Sequence, residues 1–210
     1  ALGNALFAQS GYYFQQEVNY KIDVTLDDQN HTLSGREEFE YVNNSSKTLD
    51  SIFIHLWPNA YKGPKSAMAK QKFRTGNFFL MYANPESLGY IDSLHFTVNN
   101  QEATWSYFQG YEDIAVLRLN QPLPPGGRCT VKTPFFVKLP SGSISRLGHT
   151  EQTYQITQWY PKPAVFDKDG WHAMPYLTQG EFYSEFGSFD VNITLPENYV
   201  LAATGNIQTP

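Results

Sequence analysis

Hydrophobic and polar positions alternate with a period of two over most of this chain. Tyr20, Ile22, Val24 and Leu26 alternate with Lys21, Asp23 and Thr25, which predicts a strand with one buried face. Asp27-Asp28-Gln29-Asn30 then supplies a turn, and Leu33 to Val42 returns as a second strand that ends at Asn43-Asn44-Ser45-Ser46. The pair predicts a long hairpin. Further strands are predicted over Leu49 to Trp57 (closed by Pro58), Tyr90 to Val98, Ala103 to Tyr107 and Ile114 to Leu119. Gln121-Pro122-Leu123-Pro124-Pro125-Gly126-Gly127 is a turn, because proline removes donors and glycine permits positive φ. Extended pattern resumes over Arg128 to Leu139, Gln152 to Tyr160, Glu181 to Leu195 and Tyr199 to Ala203. Only Lys65 to Phe73 passes as a helix, at about two turns.

About ten strands with Gly, Pro and Asn between them predict an all-β fold, either a sandwich or saddle-like curved sheets with at most one short helix. Most pairs should be antiparallel. No internal repeat interrupts the pattern, so residues 16–210 read as a single β domain behind a flexible segment, residues 1–15. The stretch from Pro161 to Gly180 is long and irregular, and loops of that length in compact domains are often functional.

Composition agrees with β structure. Aromatic residues make up 16% of the chain, with 15 Phe and 14 Tyr, and such rings suit half-buried pleated surfaces. The net charge of −5 and the lack of an interleaved basic and aromatic stripe argue against nucleic acid as a partner. No apolar run is long enough for a membrane span. The single Cys129 excludes an intrachain disulfide framework and any multi-cysteine zinc site. Ala5-Leu6-Phe7-Ala8 has the small-x-small form of a signal-peptide end, so export to a periplasmic or extracellular space is expected.

The motifs carry little chemistry. None of His31, His55, His95, His149 and His172 belongs to an H-E-x-x-H pair, which would set two imidazoles one helical turn apart with a glutamate base. His149-Thr150-Glu151 has the H-x-E of zinc deaminases but lacks the accompanying P-C-x-x-C. Ser141-Gly142-Ser143 is no nucleophile elbow, and Cys129 in a strand pattern reads as a small buried residue. Glu181 and Glu185, on one strand face, would stand about 13 Å apart. A glycosidase pair needs roughly 5 to 9.5 Å. Asp167-Lys168-Asp169-Gly170 lacks the remaining ligands of a calcium loop and reads as an Asx turn.

Four stretches, in order, resemble the N-terminal domain of aminopeptidase N-like zinc metallopeptidases, the gluzincin group. They are Tyr20 to Asp27 with Leu33 to Phe39, Leu123-Pro124-Pro125-Gly126-Gly127, Gln158-Trp159-Tyr160-Pro161-Lys162-Pro163-Ala164-Val165-Phe166-Asp167, and Phe189 to Pro196 through Ala203-Thr204-Gly205-Asn206. The third stands where the family usually has Ala-Arg-x-Phe-Pro-Cys-x-Asp, with a different spacing from proline to aspartate. The resemblance implies a saddle-shaped β domain that packs on its own C-terminal catalytic domain. That domain would hold zinc through H-E-x-x-H and a distant glutamate. The β domain would be inactive alone and would form part of the peptide cleft. A family Gln or Glu near the substrate's amino terminus maps onto Gln155 or Gln158, with Gln152 behind them.

Two other classes fit an aromatic-rich β domain: a carbohydrate-binding module and a structural or adhesion domain without a ligand. An exposed row formed by Trp57, Trp105, Trp159 and Trp171 would favour sugar stacking, and burial of those rings would count against it.

Overall fold

A computed structural model describes residues 13–180 and 182–208 of the 210-residue chain. Ala5-Leu6-Phe7-Ala8 and Glu181 lie outside the described residues. The strands, in chain order, are β1 (Glu17–Asp27), β2 (Thr32–Val42), β3 (Leu49–His55), β4 (Tyr90–Asp92), β5 (Thr97–Val98), β6 (Gln101–Glu102), β7 (Trp105–Phe108) and β8 (Tyr111–Leu123). They continue as β9 (Arg128–Lys138), β10 (Gly148–Thr150), β11 (Thr153–Gln155), β12 (Lys162–Pro163), β13 (Phe166–Asp167), β14 (Gly170–Trp171) and β15 (Phe189–Thr194). Between β3 and β4 the chain makes an excursion through a 3₁₀ turn (Trp57–Tyr61), helix α1 (Ala67–Arg74), the single turn α2 (Phe79–Tyr82) and a second 3₁₀ turn (Pro85–Ser87).

Two sheets enclose one core. The larger is seven-stranded, in the order β15-β1-β2-β9-β5-β6 with β4 also on β9; the smaller runs β12-β3-β8-β7. All pairs in both sheets are antiparallel except β1 with β15, which run parallel. The all-β expectation holds, with more strands than the alternation suggested because several are two-residue bridges.

Period-two alternation works where a strand buries one face. In β1 it is Val18, Tyr20, Ile22, Val24 and Leu26 that are buried, and across the register Leu33, Phe39 and Tyr41 of β2 and Val131, Phe135 and Val137 of β9 face the same core. Ile114 to Leu117 of β8 are buried in succession, as a strand covered on both faces requires. Asn43 closes the turn after β2: its Nδ2 donates to the carbonyls of Lys47, Leu123 and Pro124 at 2.8–3.1 Å, and its Oδ1 accepts from Gln16 and Ser45.

Several strand expectations need correction: among the described residues Glu181 to Leu195 is a strand only over Phe189–Thr194, and Tyr90 to Val98 is split into β4 and β5. Gln152 to Tyr160 is a strand only over Thr153–Gln155, because Gln158 takes a left-handed backbone (φ 56°) that ends extended structure. Tyr199 to Ala203 forms no strand. The stretch from Pro161 to Gly180 is more regular than expected: β12 pairs with β3, and β13 with β14. Asp167 Oδ1 accepts from the Asp169 N–H at 2.8 Å, the predicted Asx turn, with Gly170 beyond it at φ +110°.

Candidate functional site at one end of the sandwich

Several connections gather at one end of the two sheets. The β1–β2 turn meets the end of β9 where the Leu139 N–H donates to the His31 carbonyl at 3.0 Å. The excursion after β3 is held to the same end because β4 pairs with Tyr90 opposite Lys138, and Ser141 N–H donates to the Ser87 carbonyl. Asn59, fully buried in the first 3₁₀ turn, donates to the Glu112 carbonyl and accepts from the Ile91 N–H, so the excursion leaves and rejoins the sheets at fixed points. The Tyr61 hydroxyl is 2.6 Å from Ser145 Oγ, which ties the excursion to the loop before β10.

The β10–β11 hairpin is the centre of this cluster. The rings of His31 and His149 stack with centroids 3.5 Å apart and planes 12° apart. The Tyr154 hydroxyl lies 2.7 Å from His31 Nδ1 and donates to the Asp28 carbonyl at 3.2 Å. Its one proton is then committed, so His31 Nδ1 is the donor of the shorter bond. Burial, with smaller contributions from His149 and Lys138, lowers the His31 pKa, so the stacked ring is neutral and carries no repulsion at pH 7. The Tyr199 hydroxyl bridges Gln152 Oε1 and Asp28 Oδ2, which pins the hairpin to the C-terminal segment.

Beside the hairpin lies a half-open depression of about 370 Å³, lined by Gly142, Ser145, Gly148, Thr150, Thr153, Tyr154 and Gln155. Its floor depends on close backbone approach. Gly142 N–H donates to the His149 carbonyl at 2.7 Å, and a Cβ on Gly148 would come within 2.9 Å of Gly142 Cα and the Pro140 carbonyl. Gln155 is exposed at this depression and makes no side-chain hydrogen bond among the described residues.

Gln158 is placed differently. It is half-buried and does not line the depression; its Oε1 accepts from Lys162 Nζ at 2.6 Å. Lys162 is itself buried, opposite His55 in the β12–β3 pair, with its ammonium 4.0 Å from the centroid of the Trp57 ring. Burial pushes its pKa down to about 8, and the Trp57 face and the Gln158 oxygen are what hold the charge in place. His55 stacks on Trp57 at 4.5 Å and is pushed down to about 3 by burial and then by the Lys162 charge. It stays neutral, and neither ring nitrogen has an aligned hydrogen-bond partner among the described residues. Removing the oxygen with Gln158→Leu should therefore cost about 1.5–3 kcal/mol, the worth of a hydrogen bond to a charged group. Urea unfolding at pH 7 measures it, and an unchanged midpoint would show that Gln158 is not a support of Lys162.

A buried carboxyl stands near the β13–β14 hairpin. Glu185 Oε1 accepts from the Phe166 N–H at 2.9 Å, and burial raises its pKa to about 7. His172 Nε2 is 2.8 Å from Asp167 Oδ1 nearby. Among the described residues no three His, Cys, Asp or Glu side chains converge as a metal-ligand set. Cys129 is buried, and burial pushes its thiol up to about 11, far from a reactive thiolate.

The tryptophans do not form a sugar-stacking row. Trp57 is buried, and Trp105, Trp159 and Trp171 are partly buried against the core. Exposed aromatics occur on several segments, and one group of them, Phe73, Phe78, Phe79 and Tyr82, lies on the excursion. Lys65, Lys70 and Arg74 are exposed on the same segment and Lys72 is half-exposed. Sequence reasoning passed over this patch, although it left a signal: no Asp or Glu occurs between Asp50 and Glu86, while Lys62, Lys65, Lys70, Lys72 and Arg74 all do. The cations are dispersed, so no basic run draws the eye.

No protein-family model matches the chain, and no curated protein matches it in sequence. Among solved structures, an M1 zinc metallopeptidase mutant of Deinococcus radiodurans bound to a Tyr-Ser-Ala substrate is similar over 93% of this chain and 36% of its own, with 15% identity and a TM-score of 0.49. A second structure of the Deinococcus radiodurans enzyme matches over 60% of this chain at 14% identity and a TM-score of 0.37. A nutrient-binding protein of Legionella pneumophila matches over 60% of this chain and 40% of its own, at 12% identity and a TM-score of 0.35. The chain spans 21% to 36% of the length of these metallopeptidases.

Proposed function

We propose that residues 16–210 are the non-catalytic N-terminal β domain of an exported, zinc-dependent aminopeptidase-like metallopeptidase. In this reading the domain packs on a separate catalytic domain that holds the zinc, and it forms one wall of the peptide cleft. The ordered stretches of sequence resemblance supply the family. The observation that carries the packing is the uncovered edge of the larger sheet. Phe189, Val191 and Ile193 of β15 continue the buried row Tyr20, Ile22 and Val24 of β1, yet all three are exposed. Phe186, exposed where the chain first meets β1, adds to this apolar margin. An apolar sheet face of this kind is a surface for another protein unit.

Gln155 is the side chain assigned to the substrate's amino-terminal end, because it is exposed at the depression and unengaged. Gln158 has its oxygen committed to Lys162. The test is the full-length gene and its product. It should continue into H-E-x-x-H, and the purified zinc-loaded protein should release aryl amine from aminoacyl anilides. The β domain alone should show only background hydrolysis with added zinc. A full-length chain without that motif, or hydrolysis by the isolated β domain, would overturn the proposal.

A further inference from the structure

The patch on the excursion differs from the rest of a molecule of net charge −5. Lys65, Lys70, Lys72 and Arg74 make no ion pair among the described residues, whereas Lys62 is paired with Glu112 at 2.6 Å. Four unpaired cations therefore share this segment with Phe73, Phe78, Phe79 and Tyr82, with Phe73 and Phe78 in edge-to-face contact at 5.2 Å. The segment is fixed in place. Ser66 caps α1 through its Oγ to the Ala69 N–H, Met68 and Ala69 are buried beneath it, and Gln71 Oε1 accepts from both the N–H and the hydroxyl of Thr178. The patch is thus anchored on one side to the Pro161–Gly180 stretch. The start of the excursion is held by buried Tyr61, whose hydroxyl meets Ser145 in the loop that borders the depression.

Resting on the function proposed above, we infer that this patch binds the downstream part of the peptide substrate and selects acidic peptides that also carry apolar side chains. Charge complementarity sets the acidic preference, since four unpaired cations attract carboxylates. The exposed rings supply stacking and apolar contact for the side chains between those carboxylates. A peptide suits the patch better than a membrane because the rest of the molecule is acidic, with a net charge of −5, and an anionic bilayer would repel it as a whole. A short peptide meets only the patch and escapes that repulsion.

The test uses the full-length protein and two fluorescein-labelled octapeptides, Ala-Ala-Glu-Phe-Glu-Glu-Phe-Glu and its counterpart with lysine in place of glutamate. Fluorescence anisotropy should show the acidic peptide binding about tenfold or more tighter, an advantage that shrinks with added salt. The double variant Lys70→Glu/Arg74→Glu should erase that preference and leave KM for a single-residue anilide unchanged. Both side chains are exposed and lie on one face of α1, so the thermal unfolding midpoint should not move. Equal affinity for the two peptides, or a preference that survives the charge reversal, would overturn the inference. So would charge-dependent sedimentation with phosphatidylglycerol vesicles but not phosphatidylcholine vesicles in the absence of any peptide preference, which would make the patch a lipid-binding face. Binding is read without turnover, so a protein that prefers the acidic peptide yet hydrolyses nothing would count against the metallopeptidase reading alone.

Discussion

Gly187→Ala should strip the parallel edge strand from the larger sheet. Gly187 lies where the chain first meets β1, between the Val18 N–H donating to the Phe186 carbonyl at 3.0 Å and the Tyr20 N–H donating to the Ser188 carbonyl at 2.8 Å. A methyl at this position would overlap the Val18 carbonyl group itself. That obstacle is backbone, which cannot rotate away as a side chain would. Relief requires residues 186–188 to leave β1, and the Ser188 bonds to Asn19 Oδ1 and the Phe189–Tyr20 stack at 4.5 Å go with them. The expected cost is about 3–5 kcal/mol, near the top of the range for single substitutions. By contrast, Gly76→Ala, at φ +80° with no atom within 4 Å, should cost only the left-handed penalty of about 1–2 kcal/mol. Amide hydrogen exchange separates the two: Gly187→Ala should abolish protection over residues 189–194 while β2 and β9 stay protected. Unchanged exchange there would mean that β15 does not depend on this approach.

How much of this was legible depends on how burial is distributed. Strands with one buried face, such as β1, β2 and β9, show their alternation because every second residue meets the core. The segment after β11 looked equally extended, but Trp159 and Tyr160 owe their burial to aromatic partners distant in sequence, Phe135 and Tyr20. Alternation cannot distinguish that situation from a strand. Gln155 and Gln158 looked equivalent as polar strand residues, and the left-handed turn at Gln158 sent one to solvent and the other to a buried lysine. The His31–His149 stack was not legible at all, since only the fold brings the two turns together. The cationic patch was legible as an acid-free interval but not as a surface, because α1 and α2 had to place its rings and cations on one exposed segment.

Glu37 is the clearest case of parity mattering more than residue type, and it yields the second large effect. It sits in the polar run Arg36-Glu37-Glu38, yet its odd number puts it on the face of Leu33, Phe39 and Tyr41. Between Ile22 of β1 and Thr133 of β9 its carboxyl is buried, and neither oxygen has a hydrogen-bond partner among the described residues. Burial raises its pKa well above the ordinary 4.5, so the folded chain keeps the proton. The unfolded chain releases it above that ordinary value. The native state then binds more protons, and stability falls as pH rises above about 4.5. Glu37→Leu replaces a buried, unpaired polar group with one that fits the core, and should raise stability at pH 7 by roughly 2–4 kcal/mol. Most of this gain should vanish near pH 4, where the unfolded glutamate is protonated too. Glu37→Gln should flatten the same pH slope yet gain less, because an amide still needs partners. Urea unfolding of the three proteins from pH 4 to pH 8 measures both effects. Parallel curves for the wild type and Glu37→Leu would show that folding does not raise the pKa of this carboxyl.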